Sequence, residues 1–167
     1  MSTETTTAAQ ELTSRLPNPV TLIPEFADVA KALYRATGNG SVPRATISLV
    51  QLRAGQIVGN TYLTILHTGA LRSAGEPEER ITAVSSWFDA PYFTPAERAA
   101  LALVEAVLTA NPQGERVPDE LYARAREHYD ETALATLSVV IGQVLFFVPL
   151  AVIGKPLAGR SPAAQWR

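Results

Sequence analysis

Between Ala133 and Ile153 the chain runs for 21 residues without a charged side chain. A stretch that long and apolar has two fates: it crosses a bilayer, or it forms a helix inside a protein. Thr136, Ser138, Gln143 and Pro149 interrupt the apolar run, and the other helical stretches mix charged and apolar residues. The expectation is therefore a central helix buried on all sides by other helices. Gln143 must then find a hydrogen-bond partner or a ligand.

The rest of the pattern is also helical. Phe26, Val29, Ala30, Leu33 and Tyr34 fall at helical spacing between Pro24 and Gly38. A second helical pattern runs from Pro43 to Arg72, with Gly55 and Gly59 as possible points of interruption. A short helix follows Pro77. Thr94, Pro95 and Glu97 read as cap, first turn and capping box of another, ending near Thr109. Pro118 opens the next, and Glu131 the long apolar one, which Gly154, Lys155 and Pro156 close. No segment alternates convincingly with period two, so the class is all-α: a single-domain bundle of six or more helices. The chain has 167 residues, enough for one domain with its own core. Residues 1–20 read as a flexible lead-in, 21–160 as the helical domain and 161–167 as a C-terminal tail. Met1 to Gln10 lacks the basic-then-apolar pattern of a signal peptide and reads as frayed or weakly helical.

The chain has no cysteine. That excludes disulfides, thiolate ligands and cysteine nucleophiles together. It has two histidines, His67 and His128, too few for a multi-histidine metal site, so neither metal nor cofactor is expected. His128 sits in a charged stretch and reads as solvated. The net charge is -2 with both signs mixed, and no basic run offers a nucleic-acid surface.

Three stretches carry a resemblance. The first spans Arg53 to His67 and holds Arg53, Gln56, Gly59, an aromatic at Tyr62, and His67. The second spans Trp87 to Leu101 as W-x-x-x-x-x-F-T-x-x-E-R-A-A-L. The third is Val117 to Tyr122. In order and spacing they resemble the alkylhydroperoxidase D / carboxymuconolactone decarboxylase superfamily, over roughly Leu33 to Leu157. The resemblance implies that superfamily's helical fold.

Departures from the pattern bear on the chemistry. The superfamily reads R-x-S-Q-x-N-G-C-x-x-C-x-x-x-H in the first stretch; here the cysteine positions are Asn60 and Leu63. The acidic position twelve residues upstream of the first cysteine is Ser48, and an N-x-x-N-R pattern near the C-terminal end is replaced by Val144 to Val148. The superfamily's peroxidases relay a proton from the thiol through histidine and water to glutamate. Of that set this chain keeps only His67, so thiol peroxidase chemistry is excluded.

Positions 56, 60, 63 and 67 are spaced 4, 3 and 4. On one continuous helix this aligns Gln56, Asn60, Leu63 and His67 along a stripe, which in the superfamily faces the active-site pocket. The expected catalytic pair is His67, carrying the proton, and Asn60, orienting it or holding a substrate oxygen. Expected substrate contacts are Ser48, Gln56, Leu63 and Trp87, with Gln143, Phe146 and Phe147 from the last helix; Tyr92 and Phe93 are further candidates. Plainer roles compete for several of these. His67 could be a hydrogen-bonded core residue, Asn60 a helix cap, Trp87 core, and Gln143 a helix–helix bridge. Arg53 is expected to make an ion pair or cap a loop.

The expected function is a cofactor-free, non-redox enzyme acting on a mostly apolar small molecule. The chemistry would be proton transfer or shape-guided isomerisation, cyclisation or decarboxylation, in the manner of specialised metabolism. The alternative is a non-catalytic ligand-binding or assembly protein on a decayed peroxidase scaffold. A membrane-anchored protein is a third possibility, resting on the last helix alone. A cytoplasmic homo-oligomer is expected, the resemblance implying a dimer, trimer or hexamer, with neither nucleic acid nor membrane as a partner.

Overall fold

The computed structural model describes residues 12–167, so the expected frayed segment Met1 to Gln10 lies outside the described residues. Among these the chain forms eight α-helices and no strand. They are α1 (Pro19–Leu22), α2 (Phe26–Thr37), α3 (Arg44–Ile57), α4 (Thr61–Ser73), α5 (Glu78–Ala83), α6 (Pro95–Leu108), α7 (Asp119–Arg126) and α8 (Glu131–Gly154), with a 3-10 turn at Val84–Ser86 after α5. The all-α expectation holds.

The helix starts follow local chemistry. Thr94 caps α6 in a reciprocal capping box with Glu97, and Pro95 occupies the first turn. The Asp130 side chain accepts from the Ala133 N–H to start α8. Glu97 also receives Arg80 at 2.7 Å, and Arg80 binds Glu76 at 2.7 Å on its other side. These side chains are largely buried, so the pairs tie α5 to α6 where water screens them little.

The packing corrects one expectation. The central helix is α3, not α8. Leu49, Val50, Leu52 and Ala54 of α3 are at most 1% exposed, and α3 packs against α4, α6 and α8. Burying each such leucine contributes about 1.5–3 kcal/mol. α3 also serves two apolar clusters. One joins it to α6, α7 and α8 through Val104, Ala125, Leu137 and Val140. The other joins it to Leu71, Ile81, Val84 and Phe93. By contrast α8 buries one side only: Leu145, Phe146, Val152 and Ile153 are 41%, 42%, 54% and 62% exposed. A helix apolar all round has no periodicity to mark its outer face, so its composition alone overstated its burial.

The two ends of the described chain also pack against the body. The Arg15 N–H donates to the Gly154 carbonyl at 2.7 Å, and the Arg167 N–H donates to Ser14 Oγ at 2.8 Å. The Trp166 ring lies so close to Gly154 that a Cβ there would sit 2.8 Å from Cζ3. Hydrogen bonds and ring packing join residues 14–16 and 166–167 to each other and to the end of α8.

Candidate functional site

A cavity of about 260 Å³ opens where α4 and α8 diverge. Tyr62, Leu63, Leu66 and His67 reach it from α4. Gln143, Val144, Phe147 and Leu150 reach it from α8, and Gln51 from α3. Phe26 and Tyr34 of α2 and the Asn18–Val20 segment close one side; Pro162, Gln165 and Trp166 of the C-terminal segment close another. No Asp, Glu, Lys or Arg is among the lining residues.

The local fold places His67 here through a break in the helix. α3 ends at Ile57, and Gly59 turns the chain with φ 66, a value that glycine adopts without strain. Asn60 then caps α4, its Oδ1 accepting the Leu63 N–H at 2.9 Å. The turn folds α4 back along α3, and residues one helical turn apart, Leu63 and His67, point into the same space.

His67 is half-buried, and neither ring nitrogen has a hydrogen-bond partner among the described residues. Desolvation pushes its pKa down to about 4. The cause is physical: an imidazolium there would lose hydration and meet no lining carboxylate. The ring is therefore neutral at pH 7, with one nitrogen able to donate and the other to accept. The Tyr62 hydroxyl donates to Gln165 Oε1 at 2.5 Å. Burial, and then the neighbouring Tyr34, raise the Tyr62 pKa. Gln51 Nε2 donates to Gln143 Oε1 at 3.2 Å, so Gln143 makes the helix–helix bridge and lines the cavity as well.

Of the residues singled out in the sequence, the structure brings Leu63, His67, Gln143 and Phe147 together around this cavity. It separates the others. Asn60 is a buried helix cap with its oxygen engaged. Gln56 lies on the last turn of α3, before the break, and accepts from Arg53 Nη1 at 3.5 Å. The expected four-residue stripe therefore does not exist as one line: the turn at Gly59 separates Gln56 from the other three. Ser48 is half-buried on α3 and does not line the cavity. Trp87 donates its indole N–H to Glu105 at 3.1 Å and borders a separate, shallow groove. Phe146 stacks on Phe26 with centroids 5.8 Å apart, on the outer side of α8. Tyr92 is exposed, and Phe93 belongs to the second apolar cluster. Arg53 makes the expected ion pair, with Glu105 at 2.7 Å. Among the described residues, no three His, Asp or Glu side chains converge as metal ligands.

Tyr62, Leu66 and Gln51 were missed, as was the wall formed by Gln165 and Trp166. Tyr62 and Leu66 had a signal, since each lies next in sequence to Leu63 or His67 and they are four residues apart on the same helix. The C-terminal wall had a weaker one: a lone large apolar residue, Trp166, in a polar tail.

Comparison with known proteins agrees with this architecture. The sequence profile of the carboxymuconolactone decarboxylase family matches residues 24–106. YdfG of Bacillus subtilis (strain 168), an uncharacterized protein, is 37% identical over 123 residues, covering 74% of this chain and 82% of YdfG. A crystal structure from Agrobacterium tumefaciens, of a protein of unknown function placed with the antioxidant-defence protein AhpD, superposes with a TM-score of 0.77 at 26% identity. It covers 89% of this chain and 99% of that one. The debrominase Bmp8, in complex with 2,3,4-tribromopyrrole, shares the fold at a TM-score of 0.74 and 18% identity, covering 90% of this chain and 81% of Bmp8. The profile over α2 to α6, together with YdfG, shows that the chain belongs to the carboxymuconolactone decarboxylase family.

Proposed function

We propose that this protein is a cofactor-free, non-redox enzyme. Its substrate is an uncharged, mostly apolar small molecule, and His67 moves a proton on it. The observation that carries the reading is an imidazole with neither nitrogen hydrogen-bonded among the described residues, in a cavity that no charged side chain lines. A free nitrogen lone pair in a sheltered cavity can take a proton from a bound molecule and return it at another atom. Isomerisation of an unsaturated carbonyl compound needs such a step, and so does a cyclisation that begins with loss of a proton; decarboxylation would bring in a carboxylate that this lining disfavours. Phe147, Leu150 and Val144 supply an apolar wall that holds the molecule in one pose. The volume is at the small end for ligand pockets, which favours a compact ring over an extended chain. The debrominase of the same fold was solved in complex with a small ring, 2,3,4-tribromopyrrole; that likeness is one of fold and lends the reading only its scale.

The test is a ligand screen followed by turnover. Neutral unsaturated ring compounds are screened by NMR for shifts of the His67 ring signals, and each binder is incubated with enzyme in deuterium oxide. Deuterium incorporation or product should appear with the wild type and fall about 10²–10⁴-fold in His67→Ala and His67→Gln. Turnover unchanged in both variants would remove His67 from the chemistry.

A second reading is a non-catalytic binding or assembly protein. Two observations favour it: no hydrogen bond among the described residues fixes the His67 tautomer, and α8 leaves an apolar face outward. Binding without deuterium exchange or turnover for every ligand found would select it. Either way we read the protein as a soluble, cytoplasmic homo-oligomer, with neither nucleic acid nor membrane as partner.

A further inference from the structure

The polar lining of the cavity is unequal in its demands. Gln143 is 2% exposed on a helix that is otherwise largely apolar. Its Oε1 is taken by Gln51 Nε2 at 3.2 Å. That bond orients the amide, and the Gln143 Nε2 hydrogens then meet no acceptor among the described residues, although the side chain lines the cavity. Among the described residues no fully buried side-chain nitrogen or oxygen lacks a partner, so this donor is reached from the cavity, where water or a ligand supplies the acceptor. Tyr62 and Gln165 are hydrogen-bonded to each other, and neither is bonded to Gln143.

We propose that Gln143, oriented by Gln51, selects ligands that carry an uncharged carbonyl oxygen on an otherwise apolar frame. This inference rests on the reading of the cavity as a site for neutral small molecules. Charge narrows the class. A carboxylate or phosphate would lose its hydration and meet no lining cation, and an ammonium would meet no lining carboxylate. A hydrocarbon would leave the Gln143 donors unmet. A ketone, aldehyde, lactone or amide satisfies them without bringing charge.

Acetophenone and α-methylstyrene test this directly, because they differ by C=O against C=CH2 at nearly the same shape. Their dissociation constants are measured by NMR titration of the full-length protein, wild type and Gln143→Met. The ratio of the two constants should favour acetophenone by about 2- to 12-fold more in the wild type than in Gln143→Met, the contribution of one neutral hydrogen bond. Comparing ratios cancels the difference in hydration between the probes. Gln51→Met should lose part of the same preference. In the wild type the 15N side-chain amide signal of Gln143 should shift with acetophenone and not with α-methylstyrene; should Gln143→Met fail to fold, that shift decides. Equal ratios in wild type and Gln143→Met, or no such shift, would overturn carbonyl selection while leaving the cavity a ligand site. If neither probe moves the His67 and Trp166 ring signals, carbonyl selection and the cavity reading fall together.

Discussion

Replacing His67 by glutamine should make the protein less sensitive to acid. The ordinary histidine pKa is about 6.5, and burial in the native cavity lowers it to about 4. The folded-state value is the lower one, so the unfolded chain binds the proton more tightly. The contribution of His67 to stability is thus intact above pH 6.5 and is lost as the pH falls from there toward 4, with little further loss below. Each unit of difference is worth about 1.36 kcal/mol. Between pH 7 and pH 5 the wild type should lose about 2 kcal/mol through this one group. That is an upper figure, because the ring keeps some contact with solvent. His67→Gln removes the titration and keeps a polar side chain of similar reach. Urea denaturation of both proteins at pH 7, 6 and 5, followed by circular dichroism, gives the two slopes; the other titrating groups are common to both and cancel in the difference. Parallel stability curves would refute the argument, and so would a His67 ring signal that titrates near 6.5 in the folded protein.

Asn60→Ala should cost about 1 kcal/mol, the value of a helix cap, while Asn60→Ser, which can still cap, should be nearly neutral in both stability and ligand affinity; a tenfold loss of turnover in Asn60→Ser would return this residue to the chemistry. Gly154→Ala places a Cβ 2.8 Å from the Trp166 ring and should push the C-terminal wall off the cavity, read as a red-shifted tryptophan emission and faster proteolysis of the tail; unchanged emission would mean the wall yields without moving. The outward apolar side chains of α8, with Leu22 and Ile23 at 55% and 58% exposure beside α2, predict at least a dimer; a monomer at tens of micromolar by sedimentation, roughly where specific interfaces hold, would contradict it.

What the sequence made legible follows from which signals are local. The capping box at Thr94 and Glu97 and the proline starts each depend on residues within one helical turn, and the structure reproduces them. The Arg53 ion pair was foreseen as a type of contact but not by partner, because Glu105 lies 52 residues away. The stripe from Gln56 to His67 failed at one residue. Its 4-3-4 spacing assumes a continuous helix, and Gly59, already noted as a possible break, turns the chain between the first member and the rest. The burial of α8 was misjudged because an apolar sequence does not distinguish a side covered by its own chain from one left for something else. The C-terminal wall was illegible for another reason: Trp166 is placed by long-range packing against Gly154 that leaves no period in the sequence.

Two of the residues at the departed family positions add apolar surface to the cavity, whose lining has no charged side chain. Ser48, Asn60 and Leu63 stand where the family pattern has an acid and two thiols, and Phe147 stands where that pattern places asparagine. Each replacement is uncharged, and two of the four now line the cavity. His67 is left as the lining group best able to change charge near neutral pH, in surroundings that oppose the change. That combination restricts the chemistry. A standing imidazolium is disfavoured, so proton transfer to His67 must create its opposite charge on the ligand at the same moment, a few ångströms away, where the low dielectric strengthens their attraction. A ligand whose deprotonated form spreads its charge onto an oxygen near a hydrogen-bond donor meets that condition; a saturated hydrocarbon does not. On the proposed reading, the neutral lining would select an uncharged substrate in the ground state and, of such substrates, those able to carry a delocalised negative charge briefly.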